Sequence, residues 1–302
     1  MFIKTRNKPI SYRVLESLNN RMDLSLNEKR MYKNQVKGFQ GEQAFDKIML
    51  LNYPSGIVIN DLLLSTGDTY YQIDSLLVTP HHLYLYEIKN YTGAYHYKDG
   101  VIYSKSGHAL QDPVAQAKRK ESYLYNLLLT LNLTVKISTF VVFIHPDFYI
   151  YNFPEIKSVL FEGQLSAHLK RLSKNTEAEE KQASRIAHKL ISLHTDTYRP
   201  MNLPNNYTFD QLKKGILCPK CSSFAYTQTR ETRTCATCSL KEKIPAAIHR
   251  SIEEFRLLFP DIRMNRNVIS EWCGNALSKR RIQHVLKKHY THKSSSRGSY
   301  YI

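Results

Sequence analysis

Residues 70–89, YYQIDSLLVTPHHLYLYEIK, decide the fold. Two runs of aromatic, branched and aliphatic residues flank Pro80-His81, a punctuation that belongs in a turn and not in a central strand. With Thr79 opposite His82, the runs pair as an antiparallel hairpin and Asp74 comes to face Glu87. Side chains alternate along a strand, so Gln72, Asp74, Leu76 and Val78 share a face with Leu83, Leu85, Glu87 and Lys89. That face is apolar beside the turn and polar at its open end.

Carboxylates opposed across a ladder repel each other, and a bound cation removes the conflict. Mg²⁺ takes carboxylate oxygens and keeps several waters, so Asp74 and Glu87 suit it, or Mn²⁺, as ligands. Lys89 points at the same spot. The set suits phosphodiester hydrolysis: a metal polarises the phosphate and activates water, and a lysine stabilises the developing charge. Glu-x-Lys alone is equally an ordinary pair of surface charges. The second carboxylate and the apolar flank set this instance apart.

Working outward, a strand pattern at 57–64 precedes the hairpin and makes it a meander. Residues 93–103 read as a strand pair about the turn dipeptide Asp99-Gly100. Asp112 is an N-cap and Pro113 a first helical residue for a helix running to about Leu129, and a strand follows at 136–144. Upstream, residues 38–51 place Phe45, Ile48, Met49 and Leu51 on one helical face. Gly41 is read as preceding that helix, with Glu42 in its first turn. The divisions predicted are an N-terminal extension (1–35), a core (36–150), a helical cap (151–200), a linker with a cysteine module (201–245) and a basic helical tail (246–302).

The segments Lys37-Gly38-Phe39-Gln40-Gly41-Glu42, Tyr71-Gln72-Ile73-Asp74 and Tyr86-Glu87-Ile88-Lys89-Asn90-Tyr91-Thr92-Gly93, followed by Asp112-Pro113-Val114-Ala115-Gln116-Ala117, together resemble the nuclease-related domain (NERD) family of the PD-(D/E)xK nuclease superfamily. The resemblance covers about residues 36–145. It implies an α/β fold, a restriction-endonuclease-like mixed sheet flanked by helices, with Glu42, Asp74, Glu87 and Lys89 as catalytic residues. Gln116 resembles the auxiliary glutamine of related nucleases; read by itself it is equally a surface amide. His81 and His82 stand in the turn, where extra metal ligation and simple solvation are both open.

Cys218-Pro219-Lys220-Cys221 and Cys235-Ala236-Thr237-Cys238 are two Cys-x-x-Cys knuckles. Cys218, Cys221, Cys235 and Cys238 would complete tetrahedral Cys₄ coordination of one structural Zn²⁺, and the alternating residues between them suggest a zinc ribbon. A redox pair of disulfides is the competing reading. Cys273 has no partner nearby in sequence and is predicted to be buried as a small apolar residue.

The formal net charge is +17, and most of the excess lies in residues 201–302. Such a field favours a polyanion. Residues 248–259, 267–271 and 277–289 read as three helices, the last two about a Gly274-Asn275 turn as in a helix-turn-helix. The last carries an apolar stripe, Ile282, Val285 and Leu286, beneath Lys279, Arg280, Arg281, Lys287 and Lys288. These basic residues fit nucleic acid, DNA in preference to RNA, while a solvated basic helix or one docking a protein fits equally. No apolar run approaches the roughly 20 residues of a membrane span, and no secretory signal is evident. Cytoplasmic location, no membrane partner and a metal-dependent DNase are the expectations, against a non-catalytic nucleic-acid-binding protein or a defence or signalling accessory protein on the same fold. Oligomeric state is not readable.

Overall fold

The computed structural model of the protein describes residues 2–52, 54–172, 177–195, 198–200, 203–295 and 298–302. In chain order its elements are β1 (Phe2–Lys4), α1 (Ile10–Arg21), α2 (Leu26–Asn52), β2 (Ile57–Thr66), β3 (Thr69–Val78), β4 (His82–Lys89), β5 (Gly93–Lys98) and β6 (Val101–Ser104). Then come α3 (Pro113–Thr130), β7 (Lys136–Phe143), β8 (Phe148–Tyr151), β9 (Val159–Phe161), α4 (Glu162–Lys170) and α5 (Glu177–Ile191). The remainder holds β10 (Tyr226–Gln228), β11 (Thr232–Cys235), β12 (Lys241–Lys243), α6 (Ile244–Leu258), α7 (Arg266–Trp272), α8 (Lys279–His289), β13 (His292–Ser295) and β14 (Gly298–Tyr301).

These elements form two compact units, Met1–Lys8 with Lys33–Tyr198, and Pro9–Tyr32 with Arg199–Ile302. The first 35 residues, expected to be an extension, are thus divided between the units. The cysteine module and the basic tail, expected as separate segments, lie in one.

The first unit is mixed α/β. Its main sheet has the order β1-β2-β3-β4-β7-β9. The β2-β3-β4 meander is antiparallel, whereas β1 joins β2, and β7 joins β4, in parallel. The β3-β4 register runs Val78 with Leu83, Leu77 with Tyr84, Leu76 with Leu85 and Ser75 with Tyr86, as read from the sequence. Leu124 and Leu128 of α3, with Ala183, Ala187 and Leu190 of α5, cover one face through Leu76, Val78, Leu83 and Leu85. Phe45 and Met49 of α2, with Leu165 and Leu169 of α4, cover the other through Leu77, Tyr86 and Val142. Burial on both faces explains why β4 reads almost continuously apolar.

A smaller sheet, β6-β5-β8, packs through Ile102 and Phe148 against Ala117, Val141 and Phe143. Its hairpin turns at Asp99 (φ 49°) and Gly100 (φ 83°), the left-handed pair that a two-residue turn requires. Asp112 Oδ1 accepts from the N–H groups of Val114 and Ala115, which satisfies two of the donors left over at the start of α3.

The second unit has its own core, in which Val14 and Leu18 of α1 meet Ile248, Ile252 and Phe255 of α6, Trp272 of α7 and Ile282, Val285 and Leu286 of α8. Arg21 is buried at its centre. It donates to both carboxylate oxygens of Glu254 at 2.9 and 2.7 Å, and its guanidinium carbon lies 3.9 Å from the Trp272 ring centroid. Strands β10-β11-β12 form an antiparallel sheet bearing the cysteines. This sheet is tied to its own unit: Arg233 donates to the Ile216 carbonyl, and Arg250 of α6 to the Leu217 carbonyl and to Glu242. Cys273 is buried in the core, as the sequence predicts, and burial raises its thiol to about 11.

Candidate active site and metal centre

Asp74 lies just past the last pair of the β3-β4 ladder. Its carboxylate does what the missing ladder partner would have done, with Oδ2 accepting from the Ile88 N–H at 2.9 Å. Glu87 and Lys89 stand on the facing end of β4, whose backbone is held on its other side by β7. Lys89 Nζ donates to Glu87 Oε1 and to Gln116 Oε1 of α3, each at 2.8 Å. Four residues separated by up to 42 positions therefore meet at the open end of the hairpin.

One participant was missed by sequence reasoning. Lys120 Nζ contacts Asp74 Oδ1 at 3.2 Å and donates to Glu87 Oε2. Lys120 belongs to the run Lys118-Arg119-Lys120-Glu121, which looks like a solvated helix face. A signal was present nonetheless: Lys120 follows Gln116 by four residues, one turn further along the same face of α3. The cation that the opposed carboxylates called for is supplied in this structure by the protein itself. Burial alone would raise the Asp74 carboxyl, but Lys120, the Ile88 amide and Lys89 outweigh it and hold it below its ordinary value.

Glu42 reaches this region by another route. Gly41 does not precede α2; it lies inside it, so Glu42 is mid-helix and not in a first turn. A Cβ on Gly41 would lie 2.4 Å from Asn90 Cβ, and this close approach is what glycine permits at that position. Asn90 Nδ2 also donates to the Lys37 carbonyl, and Lys37 Nζ to Thr92 Oγ1, which fastens the helix to the chain just beyond Lys89. Gly41→Ala is expected to displace Asn90 and cost about 1–3 kcal/mol through overpacking, more than the roughly 1 kcal/mol gained in helix propensity. Urea denaturation followed by circular dichroism checks this, and an unchanged or raised midpoint would contradict it.

Arg6, on the segment read as an N-terminal extension, donates to Glu42 Oε2 at 2.9 Å, to Asp61 Oδ1 at 2.7 Å, to both oxygens of Asp46 and to the Asp74 carbonyl. Its side chain is 2% exposed. Burial, and then the charge of Asp74, push the Glu42 carboxyl up to about 8, since one guanidinium is shared among several acids. No short-range sequence signal marks Arg6, because its partners lie 36 to 68 positions away.

Among the described residues the turn histidines join no group able to hold a metal; His82 Nε2 bonds Ser138 Oγ at 2.7 Å and its ring stacks on Tyr84. Residues 37–144 match the family model of the Nuclease-related domain. This span, about a third of the chain, is what is similar to that family. No curated protein and no solved structure matches the chain. Every residue of the carboxylate and lysine cluster except Arg6 falls inside the nuclease-related domain.

Outside the nuclease-related domain, Cys218, Cys221, Cys235 and Cys238 gather their sulfurs within 4.8 Å of one another, and none is in a disulfide. The Cys218–Cys238 and Cys221–Cys235 Sγ separations are 3.6 and 3.5 Å. A tetrahedron with metal–sulfur bonds of about 2.3 Å has edges near 3.8 Å, so the four thiolates fit a zinc ribbon. The backbone N–H groups of Cys238 and Thr237 lower the Cys235 thiol to about 6. At Cys221 the Ser223 N–H favours the thiolate, but burial and the neighbouring thiols push it up to about 12. Four thiolates at contact distance repel, and a dication relieves that repulsion.

On α8, Lys279, Arg280, Lys287 and Lys288 are exposed, whereas Arg281 Nη2 donates to the Arg230 carbonyl at 2.7 Å. Ile282, Val285 and Leu286 are buried beneath them. Tyr290 donates to Glu253 Oε1 and Tyr301 is buried in the core, so both tyrosines pack on their own unit. No helix among the described residues is long and apolar enough to cross a membrane.

Proposed function

We propose that the protein is a metal-dependent DNA nuclease whose reacting groups are Asp74, Glu87 and Lys89, with Gln116 and Glu42 assisting. The observation that carries this reading is the convergence of Asp74 Oδ1 and Glu87 Oε2 on one cation position beside Lys89. Two carboxylate oxygens aimed at one point suit a hard divalent ion, and Asp74 and Glu87 would hold Mg²⁺ or Mn²⁺ there. When bound, such an ion polarises a phosphoryl oxygen and makes a water more acidic.

The chain's own groups account for the remainder. Gln116 and Glu87 fix the Lys89 ammonium, which balances negative charge as a water oxygen attacks phosphorus and a P–O bond breaks, the leaving oxygen taking a proton. Glu42, whose carboxyl is raised by burial and by the charge of Asp74, would be the group able to supply that proton or a hydrogen bond. One structural Zn²⁺ in the Cys₄ cluster and the exposed Lys279, Arg280, Lys287 and Lys288, with Arg281, would hold the DNA backbone, in preference to RNA. Unpaired thiols suit a reducing compartment, the cytoplasm.

The test incubates the protein with supercoiled, linear and single-stranded DNA and with RNA, in Mg²⁺, Mn²⁺ or EDTA. Cleavage is expected to need the divalent ion and to fall by about 10²–10³-fold or more in Asp74→Asn and Glu87→Gln. Equal cleavage by the wild type and both variants would sink the assignment. The engagement of Asp74 and Glu87 by Lys120 favours a second reading, a scaffold that binds nucleic acid without cutting it. Salt-sensitive binding without cleavage under every condition would select that one.

A further inference from the structure

All four carboxylate oxygens of Asp74 and Glu87 are engaged by the protein itself. Asp74 Oδ2 takes the Ile88 amide and Glu87 Oε1 takes Lys89. The two oxygens that remain, Asp74 Oδ1 and Glu87 Oε2, both go to Lys120 Nζ. These are the same two oxygens that converge as a cation site. The Ile88 amide is fixed in the backbone, and Lys89 is braced by Gln116. Among the described residues, the Lys120 ammonium bonds only to the two carboxylates, and it stands on a flexible four-carbon stem whose side chain is 19% exposed.

An ammonium and a divalent ion cannot share that position, because like charges at contact distance repel strongly where water is largely excluded. We infer that Lys120 is a resident counter-cation that a divalent metal must displace, so that metal uptake at Asp74 and Glu87 is an exchange of Lys120 for the ion. This rests on the proposed metal role of those two carboxylates. Three consequences follow. The metal-free protein carries no unpaired carboxylate at the hairpin mouth and so keeps its fold without the ion. Metal affinity is reduced by the cost of breaking the two Lys120 contacts. The released ammonium, still tethered one turn beyond Gln116, becomes available at the mouth of the site once the ion is in place.

The experiment uses the zinc-loaded 302-residue chain and titrates it with Mn²⁺ by calorimetry, comparing wild type, Lys120→Met and the double variant Lys120→Met with Asp74→Asn. Lys120→Met is expected to bind Mn²⁺ about tenfold or more tightly than wild type, and the double variant to lose that binding. Equal or weaker affinity in Lys120→Met, with binding that still depends on Asp74, overturns the Lys120 exchange and leaves the metal site standing. No binding to Lys120→Met overturns both, since the site would then refuse the ion even without its competitor. Should Lys120→Met fold poorly, amine acylation of the wild type read by mass spectrometry decides the matter. Labelling of Lys120 is expected to rise when Mn²⁺ is added, and equal labelling with and without saturating Mn²⁺ overturns the inference.

Discussion

Replacing Arg6 by methionine is expected to destabilise the first unit by about 3–5 kcal/mol, the cost of leaving buried acids without their counter-ion. The guanidinium is the common partner of Glu42, Asp46 and Asp61, and it also donates to the Asp74 carbonyl at the start of the proposed site. Methionine keeps much of the side-chain volume and removes only the charge and its donors. The loss should depend on pH, with a definite sign. Glu42 titrates at about 8 in the folded protein against 4.5 ordinarily, so between those values the folded chain holds a proton that the unfolded chain has released. Stability therefore falls as pH rises through that window. Burial also raises the Asp61 carboxyl, and Arg6 lowers both groups. Without Arg6 both acids become harder to ionise: Asp61 adds to the fall, the Glu42 window extends above pH 8, and the variant should lose less near pH 5 than near pH 8. Hydrogen exchange over β2 and β3 in graded urea at the two pH values measures this. A loss below about 1 kcal/mol at pH 8 would show that Arg6 is not the counter-ion of these acids.

Removing the metal from the Cys₄ cluster is the second large effect. A structural zinc site in a small module binds with about 10–16 kcal/mol of apparent free energy, much of it folding free energy. Chelation or Cys235→Ser is expected to abolish amide protection across residues 217–243 while leaving β3 and β4 unchanged, because the cysteine strands and the mixed sheet belong to different units. The chain has one tryptophan, Trp272, which sits in the core of the second unit. Its fluorescence therefore reports that unit alone. The unfolding midpoint read at Trp272 should fall as well, because Arg233 and Arg250 tie the cysteine strands to the Ile216 and Leu217 carbonyls beside that core. Full loss of metal with unchanged exchange over 217–243 would contradict a structural role.

Much of the first unit was legible because its signals are local. The Pro80-His81 turn and the two-residue period of a strand determine which side chains of β3 and β4 face each other, and four observed pairs follow that register. The Asp112 cap and Pro113 locate the start of α3, and Cys-x-x-Cys spacing gathers four sulfurs. The beginning of α2 was misread because glycine usually marks a helix boundary. Here Gly41 is in mid-helix to admit Asn90, a residue 49 positions away that no periodicity reveals.

By itself, then, the sequence determined the hairpin and its face, the α/β class, the likeness of residues 37–144 to the nuclease-related domain and the cysteine cluster. These follow from short-range chemistry: alternation, turns, caps and spacing. Only the tertiary structure decided how the charges are paired. Arg6 and Lys120 belong to polar stretches that look like solvated surface, and their selection as partners depends on which acids are withdrawn from water. Burial multiplies the strength of a charge pair several-fold over its value in bulk solvent, and burial is settled by the packing of segments remote in the chain.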